Sequence, residues 1–158
     1  VALEDMCGHL TGADLAQTMV EVSDDKDIYD DLYVAEATSF LLAAAEENET
    51  WDLIVGTDVL PYIGDAAPFL RASADRLTSS GIMAFSTETL PGLTGWNVTP
   101  YHRYAHSRAY IETEAGKAGL VTGAEKDNPK AKAKSSSKKG SVAGVVSSSA
   151  SWDWSSGQ

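Results

Sequence analysis

Short β-type runs alternate with stretches of helical apolar spacing over residues 1–120. His9-Leu10-Thr11-Gly12-Ala13-Asp14 is a short run that ends in an acid, and a helical stretch carrying Met19, Val20 and Val22 follows it. Leu32-Tyr33-Val34-Ala35 is a second run and again ends in an acid, Glu36. Thr38 is predicted to cap a helix that continues through Ser39–Ala45 into Glu46 and Glu47. Leu53-Ile54-Val55-Gly56-Thr57 is unbroken by charge, the pattern of a strand covered on both faces, and it stops at Asp58. Asp65 is predicted to cap a helix with Pro68 in its first turn, Leu70, Ala74 and Leu77 on one face, and Gly81 as its stop. Ile82–Ser86 is the next strand, and a loop with Pro91, Gly92 and Gly95 comes after it. A last helix is expected over Ser107–Ala118, with Tyr110, Ile111 and Ala115 on its apolar face and Gly119 ending it.

Strands separated by helices imply right-handed crossovers, so the fold class expected is α/β, a doubly wound, mostly parallel sheet. Such sheets bind ligands beyond the carboxyl ends of their strands. Asp14, Glu36 and Asp58 each follow a strand at that edge. A carboxylate there can accept both hydroxyls of a ribose, and another can accept from an adenine amine. The plainer reading is that each acid caps the helix that follows it.

Charge divides the chain. The 158 residues carry a net charge of −11, which disfavours general binding to nucleic-acid phosphates. Residues 1–125 hold 6 basic and 21 acidic residues, whereas 126–158 hold six lysines against Asp127 and Asp153. The second segment is rich in Ser, Lys, Ala and Gly, so residues 124–158 are expected to be a disordered tail behind a domain spanning 1–123. Trp152 and Trp154 are its only large apolar groups besides scattered valines. Cys7 is the single cysteine, which excludes an intrachain disulfide and a cysteine-based zinc cluster. No apolar run approaches the ~20 residues of a membrane span, so no membrane partner is expected. Val1-Ala2-Leu3-Glu4-Asp5 has acid where a signal peptide has base, and a cytoplasmic location is expected.

The chain resembles class I S-adenosylmethionine-dependent methyltransferases, whose fold is Rossmann-like. The matching residues are Leu10-Thr-Gly-Ala-Asp-Leu-Ala-Gln-Thr-Met19, Tyr29-Asp-Asp-Leu32, and Ala35-Glu36 with Phe40-Leu41. Trp51-Asp-Leu-Ile-Val-Gly-Thr-Asp-Val-Leu-Pro-Tyr62 and Ser80-Gly-Ile-Met-Ala-Phe-Ser86 follow in order. Arg103-Tyr-Ala-His-Ser107 is similar to the subgroup often joined to tetratricopeptide repeats, which implies such repeats in the same parent chain. The resemblance implies S-adenosylmethionine as cofactor and methyl transfer to a small-molecule or protein acceptor. It implies that Asp14 holds the ribose hydroxyls, Leu15 packs beside the adenosine and Met19 lies on the next helix. Glu36 and Ala37 would sit at the adenine edge, where many members have Asp, and Thr57 and Asp58 would line the junction of cofactor and acceptor.

The family's first strand and glycine-rich loop have no counterpart from Val1 onward, and the family's last strands are expected to be missing after Leu120-Val121-Thr122. Residues 1–158 by themselves are therefore expected to bind the cofactor weakly or not at all. Candidate general bases are Asp58, His102 and His106, and the loop from Thr87 to Tyr101 is a candidate lid. Trp96, Tyr101 and Tyr104 are candidates for an acceptor pocket or for ordinary packing. Two other classes stand beside the enzyme reading. One is an inactive methyltransferase-like interaction protein. The other is a nicotinamide-dinucleotide-binding oxidoreductase fragment, which also uses an acid after its second strand. His102 and His106 have zinc-like spacing, but Arg103 stands where a zinc protease needs Glu, and no metal site is expected.

Overall fold

The computed structural model describes residues 7–122, 126–127 and 140–148. The chain divides into two compact units, Val1–Asn48 and Glu49–Gln158.

The first unit is a βαβα arrangement. Strand β1 (Thr11–Asp14) runs parallel to β2 (Asp31–Val34), with Asp14 opposite Val34. Helix α1 (Gln17–Asp24) makes the crossover, and α2 (Ala37–Ala44) follows β2. Thr38 does not cap α2; Glu36 does, because its longer carboxylate reaches two backbone N–H groups of the first turn. Leu41 and Ala44 of α2 are buried, and Phe40 packs on Tyr33 with ring centroids 5.1 Å apart.

The second unit is built on one long strand. Strand β3 (Trp51–Gly56) runs parallel to β4 (Leu77–Thr89), and α3 (Ala67–Arg76) connects them after a short 3-10 turn at Leu60–Tyr62. Helix α3 stops at Arg76, five residues before Gly81, because Leu77 already pairs with Trp51 in the sheet. The register slips between that pair and the next, Leu53 with Ile82. Gly81 sits in the slip, where a Cβ would lie 3.0 Å from the Thr78 nitrogen and the Trp51 carbonyl oxygen. That crowding, rather than a helix stop, is what the glycine answers. The buried face of α3 is accordingly Phe69, Leu70, Ala72 and Ser73, not the expected Leu70, Ala74 and Leu77 stripe. Leu60, Leu70, Met83 and Phe85 make the centre of this core. Leu53 and Val55 are exposed, so β3 is not covered on both faces.

The segment from Thr87 to Ser107 is more ordered than a lid loop. Thr87–Thr89 still belong to β4, and β5 (Trp96–Val98) pairs antiparallel with β6 (Tyr104–His106). Strand β6 joins the main sheet through Ala105 opposite Glu88. Helix α4 (Arg108–Lys117) is capped by Ser107, buries Ile111 and Ala115, and ends at Gly119 with φ of 81°, a left-handed stop that favours glycine. Strands β7 (Leu120–Thr122), β8 (Lys126–Asp127) and β9 (Gly140–Ser148) complete the sheet. Its order is β5-β6-β4-β9-β7, with β3 beside β4 and β8 beside β9.

Strand β9 runs antiparallel to both β4 and β7, beside the parallel pairs of β4 with β3 and with β6. Residues 126–127 and 140–148 are strands of this sheet. Three valines among small residues give 140–148 a weak intrinsic signal; an eight-residue ladder along β4 supplies the rest. Trp152, Trp154 and the lysines from 130 to 139 lie outside the described residues.

Candidate functional site

In the first unit the parallel pairing of β1 and β2 brings Asp14 and Glu36 to the carboxyl ends of neighbouring strands. Both acids serve their own helices. The Asp14 Oδ1 accepts from the Ala16 N–H at 2.8 Å, in the turn that leads into α1. Its second oxygen takes no hydrogen bond among the described residues, and the side chain is exposed. Glu36 accepts from the N–H groups of Thr38 at 2.9 Å and Ser39 at 2.8 Å, and from the Ser39 hydroxyl at 3.0 Å. Burial pushes this carboxyl up, but the hydrogen bonds from Thr38 and Ser39 together outweigh it and hold the group below the usual glutamate value. Leu15, directly after Asp14, is 73% exposed and Met19 is exposed on α1, while Ala37 is half-buried at the start of α2. A large apolar side chain left open beside an open carboxylate suits a ligand with one polar and one flat apolar part.

The second unit holds the remaining candidates, Thr57, Asp58, His102 and His106. Thr57 and Asp58 are exposed at the end of β3, and Asp58 has φ of 61°, a left-handed conformation that costs energy for any residue with a Cβ. Two contacts hold it there. Its N–H donates to the Ser86 hydroxyl at 3.0 Å, and its carboxylate is ion-paired with the Arg103 guanidinium. Arg103 also lies over the Tyr62 ring, 5.0 Å from its centroid, and donates to the Tyr62 hydroxyl at 3.3 Å. Its Nε stands 2.8 Å from the Glu88 carboxylate as an ion pair. The bond to Asp58 keeps the guanidinium firmly protonated against some cost from burial.

His106 is buried and both its nitrogens are engaged. Nε2 lies 2.9 Å from the Gly64 carbonyl oxygen and Nδ1 lies 2.7 Å from the Thr87 hydroxyl. A carbonyl only accepts, so Nε2 carries the proton, and in the neutral ring Nδ1 accepts from Thr87. Burial pushes the imidazole below its usual value, favouring that neutral ring. Both nitrogens are thus engaged within the protein. His102 is exposed in a turn, with φ of 57° and its N–H donating to the Thr99 carbonyl at 3.0 Å. The two histidines therefore do not form a metal-ligand pair, and no group of three His, Cys, Asp or Glu among the described residues is arranged for a metal.

Tyr110 completes the arrangement. Its ring stacks on His106 at 5.9 Å, its hydroxyl donates to Asp65 at 2.6 Å, and it accepts from the Ala66 N–H at 2.9 Å. Burial, reinforced by Asp65, pushes the phenol up to about 12. Gly64 lies under the edge-to-face pair of Trp96 and Tyr104, where a Cβ would meet both rings at 3.0 Å. Arg103, His106 and Tyr110 all reach back to the segment 58–66 that follows β3. In the sequence Arg103 belongs to the Arg103–Ser107 motif and stands where a zinc protease needs Glu; its spacing from His106 and Tyr110 is the signal for the role seen here.

No family model matches the chain. Over 78 residues, 49% of the chain, it is 33% identical to a ubiquinone biosynthesis O-methyltransferase of Bartonella quintana, and it is 30% identical to that of Bartonella tribocorum over the same length. The matched part is 32% of each of those proteins, so the chain spans about a third of the length of these curated relatives. Among solved structures, an S-adenosylmethionine-dependent methyltransferase from Clostridium acetobutylicum superposes with a TM-score of 0.68 at 15% identity, covering 94% of this chain and 78% of the other. The N-methyltransferase NodS of Bradyrhizobium japonicum with S-adenosyl-L-homocysteine gives 0.67 at 16% identity, covering 93% and 70%. The cyclase SpnF gives 0.70 at 11%, covering 93% and 68%. The fold is thus the Rossmann-like fold of class I S-adenosylmethionine-dependent methyltransferases. No described helix is long and apolar enough to cross a membrane.

Proposed function

We propose that this chain belongs to an S-adenosylmethionine-dependent methyltransferase and carries its nucleoside-recognising acids and part of its acceptor side. The observation that carries the reading is the pair Asp14 and Glu36 at the carboxyl ends of adjacent parallel strands, on a fold shared with solved methyltransferases. The free oxygen of Asp14 suits a ribose diol, with Leu15 against the adenosine and Met19 on the helix behind. Glu36 has lone pairs beyond those used on α2 and suits an adenine amine, with Ala37 beside it. The cyclase on the same fold is a reminder that fold alone does not fix the reaction. The curated relatives are named as O-methyltransferases, which favours a hydroxyl acceptor, either a small molecule or a protein side chain.

The cofactor supplies a methyl group on a sulfonium that is already a good leaving group. An acceptor lone pair attacks the methyl carbon in line, the carbon–sulfur bond breaks, and its electron pair stays on sulfur as a neutral thioether. The protein mainly aligns the two reactants. A hydroxyl acceptor also loses its proton, and it needs a carboxylate or a solvent path for it. Asp58, at the end of β3 with an exposed carboxylate, suits the orientation of that hydroxyl. Thr57 stands beside it, exposed at the end of the same strand.

Nuclear magnetic resonance titration with millimolar S-adenosylhomocysteine tests the reading even if binding is weak. The amides of Asp14, Leu15, Glu36 and Ala37 should shift, and Asp14→Ala should abolish the shifts. Equal shifts with a nicotinamide dinucleotide, or shifts confined to other amides, would reject it.

A further inference from the structure

The segment after β3 is gripped from one stretch of sequence. Arg103 meets Asp58 and Tyr62, His106 meets the Gly64 carbonyl, and Tyr110 meets Asp65 and the Ala66 N–H. The last two contacts secure the entry to α3. The Arg103 contact is different in kind, because it ends on an exposed carboxylate held in a left-handed backbone conformation. A strained residue that is fixed from outside is a pointer to function. Two supports over-determine Asp58, the Ser86 hydroxyl on its N–H and the guanidinium on its carboxylate.

We propose that Arg103 is a positioning residue for the acceptor side of the site: its guanidinium, stacked on Tyr62 and paired with Glu88, holds Asp58 so that one carboxylate oxygen stays open to the acceptor's O–H or N–H. The proposal rests on the methyltransferase reading. A planar guanidinium is required. It presents donors in several fixed directions, places its central carbon over a phenol ring, and contacts two carboxylates and the Tyr62 hydroxyl together. An ammonium is a point charge on a flexible stem and cannot hold the three at once. The charge balance also selects the acceptor. Two carboxylates surround one guanidinium, so Arg103 has no uncompensated charge for an anionic group. The acceptor presents a hydrogen-bond donor, a phenolic or alcoholic hydroxyl or an amine, and not a free carboxylate or phosphate, at Asp58.

The test uses the intact chain with Arg103→Ala and Arg103→Lys. Hydrogen exchange at the Asp58 amide reports the grip, and exchange within α3 reports general loosening. Both variants should speed exchange at Asp58 by about tenfold or more while leaving α3 unchanged. Guanidinium ion at millimolar concentration should restore protection in the alanine variant, and ammonium should not. The affinity for S-adenosylhomocysteine should stay within about twofold of the parent, since Arg103 acts on the acceptor side. Full protection in the lysine variant, or no rescue by guanidinium, overturns the positioning role. Equal responses of the parent chain to S-adenosylhomocysteine and to a nicotinamide dinucleotide overturn the underlying reading instead, and with it the catalytic meaning of the grip.

Discussion

The strand-end acids of the two units are held in opposite ways. Asp14 and Glu36 bond only to groups two or three residues ahead, in the turns they start. Asp58 is held by Ser86, 28 residues away, and by Arg103, 45 away. The first arrangement is local and follows from any strand that ends in an acid before a helix. The second exists only once β4 and β6 have closed on the loop after β3. A locally capped acid keeps its geometry cheaply and leaves lone pairs for a ligand. A remotely held acid is sensitive to everything that supports its partners.

That contrast can be broken by removing remote supports and local caps in turn. The largest effect is expected at His106. Replacing it with Ala empties a buried site and strands the Gly64 carbonyl and the Thr87 hydroxyl, for a loss of about 3 kcal/mol in urea unfolding. A loss below about 1 kcal/mol would show that the second unit does not depend on this remote contact. Tyr110→Phe keeps the ring on His106 but removes the hydroxyl from Asp65 and Ala66. It should cost about 1–2 kcal/mol and speed exchange at the Ala66 amide. Glu36→Gln should cost about 0.5–1 kcal/mol, felt mainly in α2, because water can replace an exposed cap. A larger cost at Glu36 than at Tyr110 would reverse the ranking on which the comparison rests.

Acidity sharpens the same contrast. The His106 imidazole is depressed by burial, so the unfolded chain takes up its proton first. Its contribution is complete above the ordinary histidine value of 6.5 and is lost as pH falls below it toward the folded value. Glu36 is depressed too, so its contribution is complete above 4.5 and is lost only as pH falls below that. Acid unfolding followed by separate probes in each unit should therefore loosen the second unit first. His106→Asn should remove the earlier phase, and a parent chain lacking that phase would count against the buried neutral ring.

What the sequence made legible follows the same divide. The run ending in Asp14, the run ending in Glu36 and the Ser107 start of α4 are short-range patterns, and all are present. The end of α3 was misplaced because Gly81 looks like a helix stop, while its real constraint is the Trp51 carbonyl across the sheet. The pattern around His106 carries no sign of burial, because Gly64 and Thr87 are 42 and 19 residues distant. Strand β9 gives a weak signal for the related reason that its composition is poor and its partners, β4 and β7, are far away.

Strand β9 also bears on how the protein is made. It lies between β4 and β7, and β7 has no other sheet neighbour among the described residues. A nascent chain that has released Leu120–Thr122 must keep that edge waiting until Ser148 has left the ribosome, on the order of a second or more at ordinary elongation rates.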